Sequence, residues 1–334
     1  MIHKEAHLSD SLFTPEISQR PTRDGYGEGI VLAGRANPRV VALTADLSES
    51  TRSNFFEKEF PDRFFELGVA EQNMATVAAG LAVSGKIPFI ASYATFSPGR
   101  NWEQIRTTIS YNDANVKIAG HHAGISVGPD GATHQAIEDI ATMRVMANMR
   151  VIVPCDAIEA RKATVAAARI VGPVYLRFGR GKTPVFTTEK TPFVPGIAQI
   201  LWQGKKPQVV IIGCGPLLHN ALLAAKELQK QKLEVVVLNM HTIKPLDEKT
   251  LLAVVAKCGA VVTIEEHQVM GGLGGAVAEV LAKKLPTPME FIGMQNTFGE
   301  SGTPAQLMEK YGMDVSAIIA AVRRAAERRI SIRG

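Results

Sequence analysis

The residues best equipped for chemistry sit in the first half of the chain. The densest run is Gly120-His121-His122-Ala123-Gly124-Ile125-Ser126-Val127-Gly128-Pro129-Asp130-Gly131-Ala132-Thr133-His134-Gln135, which follows an apolar stretch of strand length. Three histidines and an aspartate make it too polar for a core, and glycine-rich loops at the carboxyl ends of parallel strands are where α/β sheets bind ligands. A metal centre is the competing chemistry. It is disfavoured because no cysteine lies nearby and because His121 and His122, adjacent on an extended chain, would point to opposite faces. A second candidate is Glu71, in Glu66-Leu67-Gly68-Val69-Ala70-Glu71-Gln72-Asn73-Met74, at the start of a helical stretch rich in Ala and Gly. Taken alone, a carboxylate there serves equally well as a first-turn acid that offsets the helix dipole by about 0.3 to 1 kcal/mol. A third stretch, Tyr93-Ala94-Thr95-Phe96-Ser97-Pro98-Gly99-Arg100-Asn101-Trp102, carries two rings at the end of another apolar run, suited either to a core or to a stacking surface.

The elements that must position these residues follow from hydrophobic periodicity. Strand-length apolar runs (Val40–Ala45, Ile87–Ser92, Val116–Gly120, Arg150–Val153, Val174–Phe178) alternate with helical stretches near 72–84, 100–110, 136–147 and 156–170. The stretch from Gly179 to Gly204 breaks this rhythm with prolines and reads as a loop at a domain boundary. Beyond it the pattern resumes with Gln208–Ile212, a helix near 217–231, Leu233–Leu238, a helix from Asp247, Ala260–Glu265 and two closing helical stretches. The expected fold is therefore α/β, with two doubly wound domains of mainly parallel sheet. Their expected bounds are residues 1–190, of which 1–20 form an N-terminal extension, a linker over 191–206, and residues 207–334. At 334 residues the chain has length for two cores.

Composition excludes several roles. A formal charge of +5 is mild for this length, aromatics are sparse, and the basic run Arg323, Arg324, Arg328 and Arg329 suits a helix C-terminus, so no nucleic-acid partner is expected. No apolar run reaches the roughly 18 residues of a membrane span, and the polar N-terminus resembles neither a secretion signal nor a transit peptide, which makes the cytoplasm the expected location. Cys155, Cys214 and Cys258 are too far apart for a zinc site and read as buried, reduced thiols. Ile211-Ile212-Gly213-Cys214-Gly215-Pro216 opens like a dinucleotide fingerprint, but Leu218 stands where the third glycine belongs.

Taken together, the Gly-Val-Ala-Glu-Gln-Asn-Met segment, the aromatic stretch and the histidine loop resemble the transketolase family over essentially the whole chain, covering the pyrimidine-binding and C-terminal domains of the longer single-chain enzymes. The resemblance implies a transferase of carbohydrate metabolism, in the pentose phosphate pathway, that depends on thiamine diphosphate. Glu71 would share a proton with N1′ of the aminopyrimidine and so help expose the reactive carbon of the cofactor. Phe96, or failing it Tyr93, would stack on that ring, although Ser97-Pro98-Gly99 stands where other members carry a further aromatic. Asp46 would lie beside the cofactor. His122 would touch the sugar-phosphate donor, Asp130 would bind a substrate hydroxyl, and His134 would lie by the reacting carbonyl, whereas His121 has no counterpart. Arg23, Ser50 and Arg180, with His122, match the ligands of the terminal phosphate, for which guanidinium forks are well shaped. Glu265-Glu266-His267 and the glycines from Gly271 to Gly275 match a strand-to-helix turn and subunit contact of the C-terminal domain.

The family anchors pyrophosphate and Mg2+ through a Gly-Asp-Gly motif, and this sequence has none: Asp24-Gly25 follows an arginine and Asp130-Gly131 a proline. The resemblance thus implies a partner chain carrying the magnesium and pyrophosphate ligands, an N-terminal transketolase subunit, in an α2β2 heterotetramer that acts on sugar phosphates, and no metal ligands on this chain. Competing readings are the β subunit of a 2-oxoacid dehydrogenase, half of a deoxyxylulose-phosphate synthase, and a non-catalytic regulatory relative that binds nucleotides. The phosphate set argues against the first, a free-standing half-chain against the second, and retention of Glu71 against the third.

Overall fold

The computed structural model describes residues 1–333, with side chains described as far as Arg329. Its first half is built on a seven-stranded sheet in the order Thr242–Lys244, Arg150–Ile152, Val174–Arg177, Lys117–His121, Ile87–Tyr93, Val40–Thr44 and Phe64–Glu66. All neighbours run parallel except the first pair, in which Thr242–Lys244 enters from the second half of the chain and pairs antiparallel with Arg150–Ile152. Every residue of Val40–Thr44, Lys117–His121 and Val174–Arg177 is buried, as expected for strands covered by helices on both faces. The α/β architecture expected from periodicity is what the chain adopts.

Several elements depart from the sequence reading, among them the short sheet strands Phe64–Glu66 and Thr242–Lys244. Helix Thr22–Ala36 was not expected, because glycines at 25, 27, 29 and 34 lower its intrinsic helix propensity. Packing explains them: a Cβ on Gly25 would lie 2.0 Å from the carbonyl oxygen of Ala157, so glycine lets this helix press against helix Ala157–Ala167. The stretch from Ile105 to Ser110, read as ordinary helix, is wound as a π-helix. Two strands of the second sheet are likewise not expected from the sequence. Gln199–Gln203 falls inside the stretch expected to be a loop and linker, and Met289–Met294 lies where closing helices were expected. Both are edge strands of the second sheet, ordered Met289–Met294, Val261–Gln268, Val209–Gly213, Val235–Asn239, Gln199–Gln203, and only the last runs antiparallel. Half-covered edge strands carry weak hydrophobic signals. The first 17 residues, expected as an extension of the first domain, bond to it, with the Ser9 backbone N–H donating to the Phe186 carbonyl, and also pack on the second. Ala6, Leu12 and Ile17 are buried in its core beside Leu201 and Trp202, and His3 donates its backbone N–H to Leu201.

A buried charge pair ties the halves together. Arg177, on a central strand of the first sheet, donates from Nε to Asp139 Oδ2 (2.7 Å) and from Nη2 to Asp139 Oδ1 (3.1 Å), to the Ala136 carbonyl (3.0 Å) and to the Glu266 carbonyl on the second sheet (2.9 Å). Tyr175 donates its hydroxyl to Asp139 Oδ2 at 2.6 Å. Breaking such a pair leaves an uncompensated buried charge, so Arg177→Ala is expected to destabilise the chain by about 3 kcal/mol in urea unfolding. The three cysteines are free and buried. No helix among the described residues is long and apolar enough to cross a membrane.

Candidate active site

The candidate residues gather where parallel strands end. Strand Ile87–Tyr93 delivers Tyr93 and, one turn on, Phe96, while Lys117–His121 delivers His122 and the loop to His134. Val174–Arg177 leads to Arg180, and Val40–Thr44 leads to Asp46 and Ser50. His122 (φ 52°) and Asp46 (φ 59°) both adopt left-handed backbone, which turns the chain sharply off the sheet; non-glycine residues there are uncommon and concentrate at functional sites.

Aromatic contacts join the ring residues into one wall. Tyr93 stacks on His122 with centroids 3.9 Å apart, and lies 5.7 Å from Phe96; His134 presents its edge to Tyr93 at 6.2 Å and to Phe96 at 5.6 Å. His134 Nδ1 is 2.9 Å from the Thr133 hydroxyl. Tyr93 is thus stacked on His122, whereas the Phe96 ring is covered by the Arg100 guanidinium.

Beside this wall lies a cluster of cations. Arg23 donates from Nη1 to the Ser50 carbonyl (2.8 Å) and to His122 Nε2 (3.1 Å). With an arginine donating to Nε2, the neutral imidazole carries its proton on Nδ1. Burial first, and then the charges of Arg23 and Arg180, push the His122 pKa down to about 3, so the ring is neutral and the positive charge of the site belongs to the guanidiniums. Arg23 itself is pulled below the usual arginine value by burial and by the charge of Arg52, with Arg180 contributing. Arg180 donates to the Val127 carbonyl at 3.0 Å and sits 3.6 Å from Asp130. Guanidiniums beside a neutral imidazole are chemically suited to hold an anion.

Glu71 is the first residue of helix Glu71–Val83 and is only 2% exposed. Its Oε2 accepts a hydrogen bond from Arg100 Nη1 at 2.7 Å, and the Arg100 guanidinium lies over the Phe96 ring, 4.9 Å from the centroid. Asn101 Nδ2 donates to the Glu71 carbonyl (3.0 Å) and to Ser97 Oγ (3.1 Å), fixing the start of the helix against the aromatic turn. Asp46 stands farther off: it is exposed, and its backbone N–H donates to Glu66 Oε1 at 2.8 Å, as does that of Gly68.

Arg100, Asn101, Arg52 and Glu66 were not singled out from sequence. Arg100 had a legible signal, a cation four residues after an aromatic in a turn-rich segment. Arg52 had none, since its pairing with Asp24 (2.7 Å) joins residues distant in the chain. His121, left without a role, is a core residue: fully buried, 4.7 Å from Tyr26 and 5.0 Å from Phe178 between ring centroids. Burial drives its pKa well below the ordinary value of 6.5. The folded chain then declines a proton that the unfolded chain accepts, so stability is lost as pH falls below 6.5. Relative to wild type, His121→Phe is expected to gain about 2 kcal/mol between pH 7 and pH 5, read from urea midpoints at the two pH values.

Two domain families account for most of the sequence. The transketolase pyrimidine-binding domain matches residues 18–185 and the transketolase C-terminal domain residues 198–318. A solved structure described as a split gene transketolase, inactive beta4 tetramer, superposes with a TM-score of 0.86 at 46% identity over 92% of this chain and 98% of that one. A Methanocaldococcus jannaschii protein named for the C-terminal section of transketolase is 44% identical over 299 residues, 89% of this chain and 93% of that protein. The 6-deoxy-6-sulfo-D-fructose transketolase subunit SqwH of Clostridium sp. (strain MSTE9) is 38% identical over 317 residues, 95% of this chain and 98% of that subunit. Against the longer transketolases the chain spans about half, 48% of the Homo sapiens enzyme at 36% identity.

Proposed function

The chain belongs to the transketolase family, and we propose that it is the cofactor-activating subunit of a split transketolase, moving a two-carbon ketol unit from a ketose phosphate to an aldose phosphate together with an N-terminal partner subunit in an α2β2 assembly. The observation that carries this reading is the buried Glu71 carboxylate set opposite the Phe96 ring, with a flat guanidinium held between them.

The residues present fit the pyrimidine half of thiamine diphosphate. A planar nitrogen base on the Phe96 face, with a ring nitrogen against Glu71, would repeat what the Arg100 guanidinium already does there. When bound, that cofactor supplies the nucleophile and the electron sink for ketol transfer. Glu71 holds or shares the proton at N1′, and Asn101 keeps the helix start that carries Glu71 in place. Tyr93 serves as backing for His122 rather than as the stacking ring. His134, half-buried against both rings, holds a proton for the reacting carbonyl, and Asp130, beside Arg180, takes a substrate hydroxyl. Asp46 lies at the rim towards the cofactor. Pyrophosphate and Mg2+ fall to the partner subunit, in keeping with the missing Gly-Asp-Gly motif.

Arg23 and Arg180, with Ser50 and His122 between them, bind the terminal anion of the sugar. The name of the Clostridium relative specifies a sulfonated sugar, a monoanion; two guanidiniums with a third, Arg52, nearby favour the phosphate dianion here. Steady-state ketol transfer by the chain mixed with its partner, with phosphorylated and sulfonated donors in parallel, tests this reading and its substrate choice.

A further inference from the structure

Arg100 makes the cofactor-free form of the site self-satisfying. Glu71 is 2% exposed, and a carboxylate that deep is costly unless a cation or several donors meet it. Arg100 meets it with one N–H at 2.7 Å while its guanidinium plane covers Phe96. The arginine is itself 49% exposed, and it sits on the turn that also carries Phe96, donating its backbone N–H to the Phe96 carbonyl at 2.8 Å. Its head can therefore swing into solvent without disturbing the fold.

On the reading given above, an aminopyrimidine needs the same two surfaces, the Phe96 face and a Glu71 oxygen. A guanidinium and an aminopyrimidine are both flat and rich in nitrogen, and the Phe96 face that the Arg100 guanidinium covers cannot hold both at once. We propose that Arg100 is a built-in cap on Glu71, closed in the cofactor-free chain and displaced when the pyrimidine of thiamine diphosphate enters. This inference rests on the cofactor assignment. It adds that the affinity of the site is held below its intrinsic value by the fraction of molecules in which the cap is closed. The cap keeps the buried carboxylate paired until the cofactor arrives.

The test is isothermal titration of thiamine diphosphate, with Mg2+ present, into the chain assembled with its partner subunit, for wild type, Arg100→Lys and Arg100→Ala, alongside thermal melts of the cofactor-free chains. Removing the cap is expected to tighten cofactor binding about tenfold in Arg100→Ala while lowering the melting temperature of the cofactor-free chain. Arg100→Lys, which keeps a cation for Glu71 but loses the flat head, is expected to fall between. A residue that merely supported the fold would lower the melting temperature without tightening the cofactor. Binding that is unchanged or weaker in both variants, with wild type binding normally, overturns the cap alone. A wild-type assembly that binds no thiamine diphosphate overturns the cofactor assignment beneath it.

Discussion

Glu71→Ala is expected to lower kcat for ketol transfer in the assembled enzyme by roughly 10²- to 10⁴-fold, the range over which a positioned acid–base group contributes. Neither of the side chains bonded to Glu71 can take over the proton at N1′: Arg100 is a cation and Asn101 is occupied by the Glu71 carbonyl and Ser97. The loss should fall on kcat rather than on KM for the sugars, because the anion cluster around Arg23 is built from other elements. Glu71→Gln separates geometry from proton transfer. It keeps a hydrogen-bonding side chain of the same length, so cofactor binding should survive better than in Glu71→Ala, while kcat should remain low. Single-turnover rates and cofactor titrations on both variants check the division.

The double variant Arg23→Ala, Arg180→Ala is expected to lower kcat/KM for phosphorylated sugars by roughly 10²- to 10⁴-fold. A hydrogen bond to a charged group contributes about 1.5 to 3 kcal/mol, which makes each arginine responsible for about 10- to 100-fold or more. The effect should vanish with sugars that lack the terminal phosphate, since the variants leave Glu71, Phe96 and His134 untouched. Comparing phosphorylated and unphosphorylated acceptors in steady state provides that control. In the wild-type site His122 should add no positive charge at any ordinary assay pH, because burial first, and then the neighbouring arginines, hold its pKa down to about 3. A KM for sugar phosphate that rose steeply between pH 6 and 7 through this ring would contradict the assignment.

Much of this architecture is legible in the sequence, and the exceptions have physical reasons. Fully buried parallel strands such as Val40–Thr44 and Val174–Arg177 announce themselves as apolar runs because helices cover both faces. Gln199–Gln203 and Met289–Met294 do not, since at the edges of the second sheet their residues are only partly covered. Helix Thr22–Ala36 hides behind its glycines, whose purpose appears only when Ala157 is seen against Gly25. At the site, Glu71 and the histidine loop stood out by residue type, and the family resemblance supplied Arg23, Ser50 and Arg180, which singly read as surface residues. What the sequence does not show is what each ring touches. The resemblance prefers Phe96 to Tyr93, and only the folded chain shows Tyr93 stacked on His122 and the Arg100 guanidinium over Phe96. The pairing of Arg100 with Glu71 was equally hidden, because it links a helix start to a turn that follows a different strand.

The most direct test of the split-site account is to mix the purified chain with an N-terminal partner subunit, thiamine diphosphate and Mg2+, and to measure ketol transfer from xylulose 5-phosphate to ribose 5-phosphate. The account predicts transfer by the mixture, none by either chain alone, and its loss with Glu71→Ala. Absence of ketol transfer from the mixture with decarboxylation of pyruvate in its place, or full transfer by this chain without a partner, would contradict it.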